Sequence, residues 1–149
     1  MFNNILLADD LSKRAEKAIA AAIELAKCHQ AKLTILNVRE DFINKTEMVM
    51  LRVDVSKLHN DIKEKALDIK NKIDLDVGRL GGDTIDREVI IREGKPSEMI
   101  CKVATEIEAD LIVMGTHGNN PLKDVIFGST AHNVINRAKR SVMVVYTKE

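Results

Sequence analysis

Five short apolar runs, each stopped by polar or turn residues and each separated from the next by a helix-period segment, leave this chain few architectures. The runs are Ile5-Leu6-Leu7-Ala8, Lys32 to Val38, Val89-Ile90-Ile91, Asp110 to Met114 and Val142 to Tyr146. Runs of this length bounded by turn residues read as strands. Between them, Ala15, Ala18, Ile19, Ala22, Ile23 and Ala26 recur on one helical face, with Ser12 placed to cap the helix start. Leu51, Val55, Leu58, Ile62, Ala66, Ile69 and Ile73 predict a long amphipathic helix over roughly 47–74, followed by a turn at Gly78, Gly81 and Gly82. A third helix opens at Pro96 and buries Met99, Ile100, Val103, Ala104 and Ile107; a fourth runs from Gly128-Ser129 to about Ala138. Alternation of strand and helix predicts an α/β fold, an open parallel sheet with helices on both faces. The near-continuous apolar run at 111–114 suits a central parallel strand. No linker or repeat interrupts the pattern, so the 149 residues predict a single domain, 1–149.

Charge narrows the function classes. Lysine plus arginine is 23 and aspartate plus glutamate is 23. A zero balance argues against a nucleic-acid binder and against a polybasic membrane anchor. Aromatic residues are 3% and tryptophan is absent, which argues against base-stacking platforms. There is no run of 18 apolar residues, so no membrane-spanning helix is predicted, and the first ten residues lack the charged start of a signal peptide. Cys28 and Cys101 are too few for a disulfide framework and fall in apolar helical patterns, so both read as buried thiols. Together these features predict a protein of the reducing cytoplasm. The histidines show no metal-ligand spacing with each other or with the cysteines.

The stretch from Gly115 to Thr130 carries the chemistry. It leaves a predicted central strand and ends by opening a helix. Gly115 and Gly118 let a ligand approach the backbone. Gly128, Ser129 and Thr130 sit where unpaired helical N–H groups and the helix dipole favour an anion. On spacing alone, a phosphate cradle and a plain glycine connection with an ordinary cap fit equally well. Neither G-x-x-x-x-G-K-[ST] nor G-x-G-x-x-G occurs, so a nucleotide would be held by another scheme. There is no G-x-S-x-G elbow, and Ser129 with His132 lacks an orienting acid in sequence. His117 shapes the loop or touches a ligand; Lys123 and Asp124 clamp a phosphate or are simply solvated.

The spacing Gly115-x2-Gly118-x9-Gly128-Ser129 resembles the ATP-binding signature of the universal stress protein family. The likeness spans the chain: Ile5 to Ser12, Leu36-Asn37-Val38, Gly94-Lys95-Pro96, Ala109 to Gly118, and Gly128 to Val145. It implies a Rossmann-like sheet, similar to the adenine nucleotide alpha hydrolase fold, with strand order 3-2-1-4-5. In such a sheet the ligand crevice lies at the carboxyl ends of strands one and four. It further implies Asp10 near the ribose and adenine, and the backbones of Val38 and Met114 at the adenine edge. Gly115 and Gly118 would follow the ribose and phosphates, with Gly128, Ser129 and Thr130 on the phosphates. The implied cofactor is ATP or another adenine nucleotide, with magnesium held by phosphates and water. The implied assembly is a homodimer through strand 142–146, acting with an unnamed protein partner as a nucleotide-dependent sensor or regulatory module. A slow ATPase or autophosphorylating protein, with Asp10 as base and Lys123 as cation, and a nucleotide-independent dimeric module are the alternatives. The sequence departs from the family at Ala8 and Ser141, where proline is frequent, and at Asp9, where threonine is frequent. Asp9 is expected to face away from the site, because neighbouring strand-end residues face opposite sides.

Overall fold

The structure is a computed structural model; the residues described are 1–40, 55–116 and 128–147, with backbone only at 55–59. Ten elements follow one another: β1 (Asn4–Ala8), a 3-10 turn (Lys13–Ala15), α1 (Glu16–His29), β2 (Lys32–Arg39), α2 (Val55–Arg79), β3 (Arg87–Glu93), α3 (Pro96–Glu106), β4 (Leu111–Gly115), α4 (Ser129–Arg137) and β5 (Ser141–Val145). All five strands are parallel, in the order β3-β2-β1-β4-β5 that the resemblance implied.

Why this order suits the sequence is visible in β1. It pairs with β2 on one side and β4 on the other, and Ile5, Leu6 and Leu7 are fully buried. A strand covered on both faces must be apolar at every position, which is the run observed. Odd-numbered Ile5 and Leu7 pack with Leu33, Ile35, Leu111 and Val113 against the small-residue face of α1 and against Ile73 and Val77 of α2. Even-numbered Leu6 packs with Leu36, Ile112 and Met114 against Ile100 and Val103 of α3 and Ala131 and Val134 of α4. The period-2 alternation of strands thus splits the core into two layers.

The helix over roughly 47–74 continues further than the pattern suggested. It passes through Gly78 to Arg79, because Ile73 and Val77 are its fully buried anchors. It ends in a Schellman motif: Gly82 N–H donates to Val77 O (2.8 Å) and Gly81 N–H to Gly78 O (3.1 Å), with Gly81 at φ +93°. The predicted positions before Val55, with Gly118, His117, Lys123 and Asp124, lie outside the described residues. Cys28 corrects the expectation of a buried thiol. It is exposed, because position 28 falls off the stripe formed by Ala22, Ile23 and Ala26; Cys101 is half-buried. Arg140 ties two helix ends together. Its guanidinium donates to Ala138 O (3.1 Å) at the end of α4, and to Ala109 O (3.2 Å) and Ala104 O at the end of α3. No helix among the described residues is long and apolar enough to cross a membrane.

Candidate functional site

The strand order reverses between β1 and β4, and a cleft of about 480 Å³ opens at the carboxyl ends of the strands there. That volume falls within the range of small-molecule sites, about 300–1,000 Å³. Asp10, Val38, Met114, Gly115, Gly128, Ser129 and Thr130 all line it. Seven residues separated by as much as 120 positions are brought together because three strand ends and a helix start share one rim.

The start of α4 forms one polar wall. Its N-cap Gly128 supplies no side-chain cap, and the first helical hydrogen bond is His132 N–H to Gly128 O (3.1 Å). The N–H groups of Ser129, Thr130 and Ala131 therefore precede the helical ladder, at the positive end of the dipole. The N–H of Gly128 is used differently: it donates to Thr116 O at 2.6 Å. Pro96, at the first turn of α3, lines the same cleft, and that helix also lacks a side-chain cap. Two helix starts thus converge on one crevice.

Thr116 organises this wall, a structural role that its sequence context does not announce. It is 3% exposed. Its N–H donates to Val145 O (2.9 Å), and its Oγ1 accepts from Thr147 N–H (3.0 Å) and lies 3.3 Å from Thr147 Oγ1. Together with the Gly128 bond, Thr116 ties the end of β4, the start of α4 and the end of β5. Gly115 belongs to the same knot. A Cβ there would lie 2.8 Å from Thr147 Cγ2, so this glycine is required by close packing rather than by an unusual φ. A threonine after a strand-end glycine was the available signal, and nothing in one sequence announces its distant partner at 147.

The opposite wall is the β1–α1 turn. Asp10 Oδ1 accepts from Ser12 N–H (2.9 Å) and Ser12 Oγ–H (2.6 Å), while Ser12 Oγ accepts from Ala15 N–H (3.2 Å) and so caps the 3-10 turn that leads into α1 rather than α1 itself. Leu11 takes φ 65° inside this turn. Asp9 Oδ1 accepts from Leu11 N–H (2.9 Å), and Asp9 Oδ2 is buried without a partner. Burial pushes the Asp9 carboxyl up from its ordinary value of 3.8, against the pull of the Leu11 N–H. Asn37 is 1% exposed; its Nδ2 donates to Asp9 O (2.8 Å) and its Oδ1 is buried without a partner. The charged residues lining the cleft, among those described, are Asp9, Asp10, Arg39 and Glu40; Asp9, expected to face away from the site, thus borders it. No group of three His, Cys, Asp or Glu among the described residues can hold a metal ion.

Against this geometry, residues 1–146 match the model of the universal stress protein family. The chain is similar to universal stress protein YxiE of Bacillus subtilis, 32% identical over 97% of this chain and 99% of that protein. It is also similar to universal stress protein MJ0577 of Methanocaldococcus jannaschii, 31% identical over 99% of this chain and 97% of that one. The solved structure of MJ0577 superposes with a TM-score of 0.79, covering 100% of this chain and 99% of that chain. The fold is shared more distantly by a universal stress protein in complex with cAMP (23% identical over 99% of this chain and 98% of that one, TM-score 0.64) and by one from Archaeoglobus fulgidus in complex with dAMP (20% identical over 97% and 98%, TM-score 0.64).

Proposed function

The chain belongs to the universal stress protein family, and from that premise we propose that its switch-point cleft binds an adenine nucleotide, ATP with magnesium foremost. The observation that carries this reading is the start of α4: N–H groups of Ser129, Thr130 and Ala131, uncapped by any side chain, facing a cleft of nucleotide size. An anion accepts from those donors and is favoured by the dipole. The backbones of Val38 and Met114 border the base, and Asp10 offers carboxylate oxygen to the ribose. Gly115 and Gly118 follow the ribose and phosphates, and Gly128 with Ser129 and Thr130 forms the phosphate wall. Magnesium rides on phosphates and water in this reading, since the described residues offer it no cluster of ligands. The fold holds cAMP and dAMP in two of its distant neighbours, which fits an adenine ligand.

The nucleotide acts in this proposal as a regulatory signal within one cytoplasmic domain, 1–149. The edge strand β5, with Met143 40% exposed and Tyr146 just past its end 62% exposed, pairs with its two-fold mate to give a homodimer that presents the loaded cleft to a protein partner. The test is the thermal midpoint with and without MgATP. A ligand in hundredfold excess over its dissociation constant adds about 2.7 kcal/mol. For a chain of this length that raises the midpoint by about 5–10 °C. Ser129→Asp places a carboxylate at the helix start, which the dipole tolerates and a phosphate does not. The shift is expected to vanish in that variant while its own midpoint holds. No shift in nucleotide-free parent protein at millimolar MgATP would overturn the reading.

A further inference from the structure

Two buried oxygen atoms at the ends of β1 and β2 have no hydrogen-bond donor: Asp9 Oδ2 and Asn37 Oδ1. Ala8 is in register with Leu36, so the next residues, Asp9 and Asn37, stand side by side across the same pair of parallel strands. They are already joined by Asn37 Nδ2–H to Asp9 O at 2.8 Å. Both are almost wholly enclosed, 3% and 1% exposed, and both border the cleft. Two buried acceptors without a donor, on adjacent strand ends, are an expensive arrangement in a low-dielectric setting. A proton on Asp9 Oδ2 removes the buried charge and turns one of the two acceptors into a donor. The carboxyl keeps its other oxygen, Oδ1, for Leu11 N–H.

We propose that Asp9 holds a proton on Oδ2 in the folded protein, and that an anionic ligand in the cleft holds this proton in place. The second half rests on the nucleotide reading above. The surroundings favour the neutral form. From the turn Asp9 faces the carboxylate of Asp10; from β2 it faces uncharged Asn37; from α2 it feels Lys72 and Asp76, which are paired with each other at 2.9 Å. Lys72 is therefore largely answered by Asp76 and leaves Asp9 without a counter-charge of its own. Ionised Asp9 would add a negative charge to the border of a cleft read as holding an anion. Binding and protonation then reinforce each other, and by linkage the effect is reciprocal. The same charge acts on the turn that positions Asp10, since Asp9 Oδ1 holds Leu11 N–H at 2.9 Å.

The test pairs two measurements on the full chain. First, the Asp9 carboxyl ¹³C resonance, assigned by its absence in Asp9→Asn, is titrated without ligand. A midpoint above the ordinary 3.8 is expected, and one at or below it overturns the proposal. Second, ATP affinity is measured from pH 4.5 to 8 in the parent and in Asp9→Asn. The ligand's own titration is common to both and cancels in their ratio. The parent is expected to lose affinity relative to Asp9→Asn as the pH rises, by up to about tenfold per pH unit for one linked proton. A flat ratio with ATP bound by both proteins overturns the coupling and leaves the nucleotide reading standing. Absence of ATP binding in both overturns the nucleotide reading and the coupling with it, while the ¹³C titration still decides where the proton sits.

Discussion

Replacing Gly115 by alanine tests whether this glycine serves the ligand or the fold. The added Cβ would sit 2.8 Å from Thr147 Cγ2 and 3.1 Å from its Oγ1. Optimal carbon–carbon contact is about 3.5–4.0 Å, so the methyl group intrudes by roughly 0.7 Å or more. Thr147 has little freedom to yield. It is fully buried, its N–H donates to Thr116 Oγ1 at 3.0 Å, and its β-branched side chain has few rotamers. Overpacking of this kind costs about 1–3 kcal/mol, against about 0.5–1 kcal/mol gained by replacing glycine in a strand. The net loss, centred on about 1 kcal/mol, lowers the thermal midpoint by about 2–4 °C. Thr147→Ser removes Cγ2 and keeps the hydroxyl, so it makes room for the alanine. In a double-mutant cycle read by thermal or urea unfolding, Gly115→Ala with Thr147→Ser should be more stable than the sum of the single effects by about 1 kcal/mol or more. Additivity within about 0.5 kcal/mol would refute the packing argument. Because the Cβ points at Thr147, the double variant should also keep its affinity for nucleotide. Loss of binding in that folded protein would show that Gly115 serves the ligand directly.

Other outcomes follow from single features. Ser97 is 2% exposed and its Oγ is buried without a partner, so Ser97→Ala should raise stability by about 1 kcal/mol in urea unfolding, and a loss would mean the hydroxyl is satisfied. Arg140→Met should lower it by about 1.5–3 kcal/mol, since the carbonyls at the end of α3 lose a charged donor; an unchanged midpoint would discount the clamp. Asp9 ionises less readily in the folded protein than in the unfolded chain, so the stability it contributes is complete below about pH 3.8 and is lost as the pH rises through the folded value. The unfolding free energy of Asp9→Asn minus that of the parent should therefore grow with rising pH, and a constant difference would contradict it. Met143→Lys on the edge strand should convert the proposed dimer to a monomer in sedimentation while nucleotide binding persists.

How much of this was legible in advance divides along physical lines. Strand and helix identity came from periodicities of 2 and 3.6, which a chain must obey to bury one face, and Ile5 to Leu7 and the α1 stripe lie where those periods put them. The candidate cleft was legible because Gly115 and the Gly128–Thr130 helix start are local signals, and parallel order places them at one rim. Boundaries set by distant contacts were not. The long helix runs past Gly78 because Val77 is anchored in the core, and Cys28 is exposed because packing covers only one face of α1. Sequence alone determined which segments are strands and helices, since that depends on neighbours a few residues away. Tertiary structure decided the roles of Thr116 with Thr147 and of Asp9 with Asn37, because pairs 31 and 28 residues apart meet only when strands align in register, and only burial turns an ordinary hydroxyl or carboxyl into a group that must find its partner.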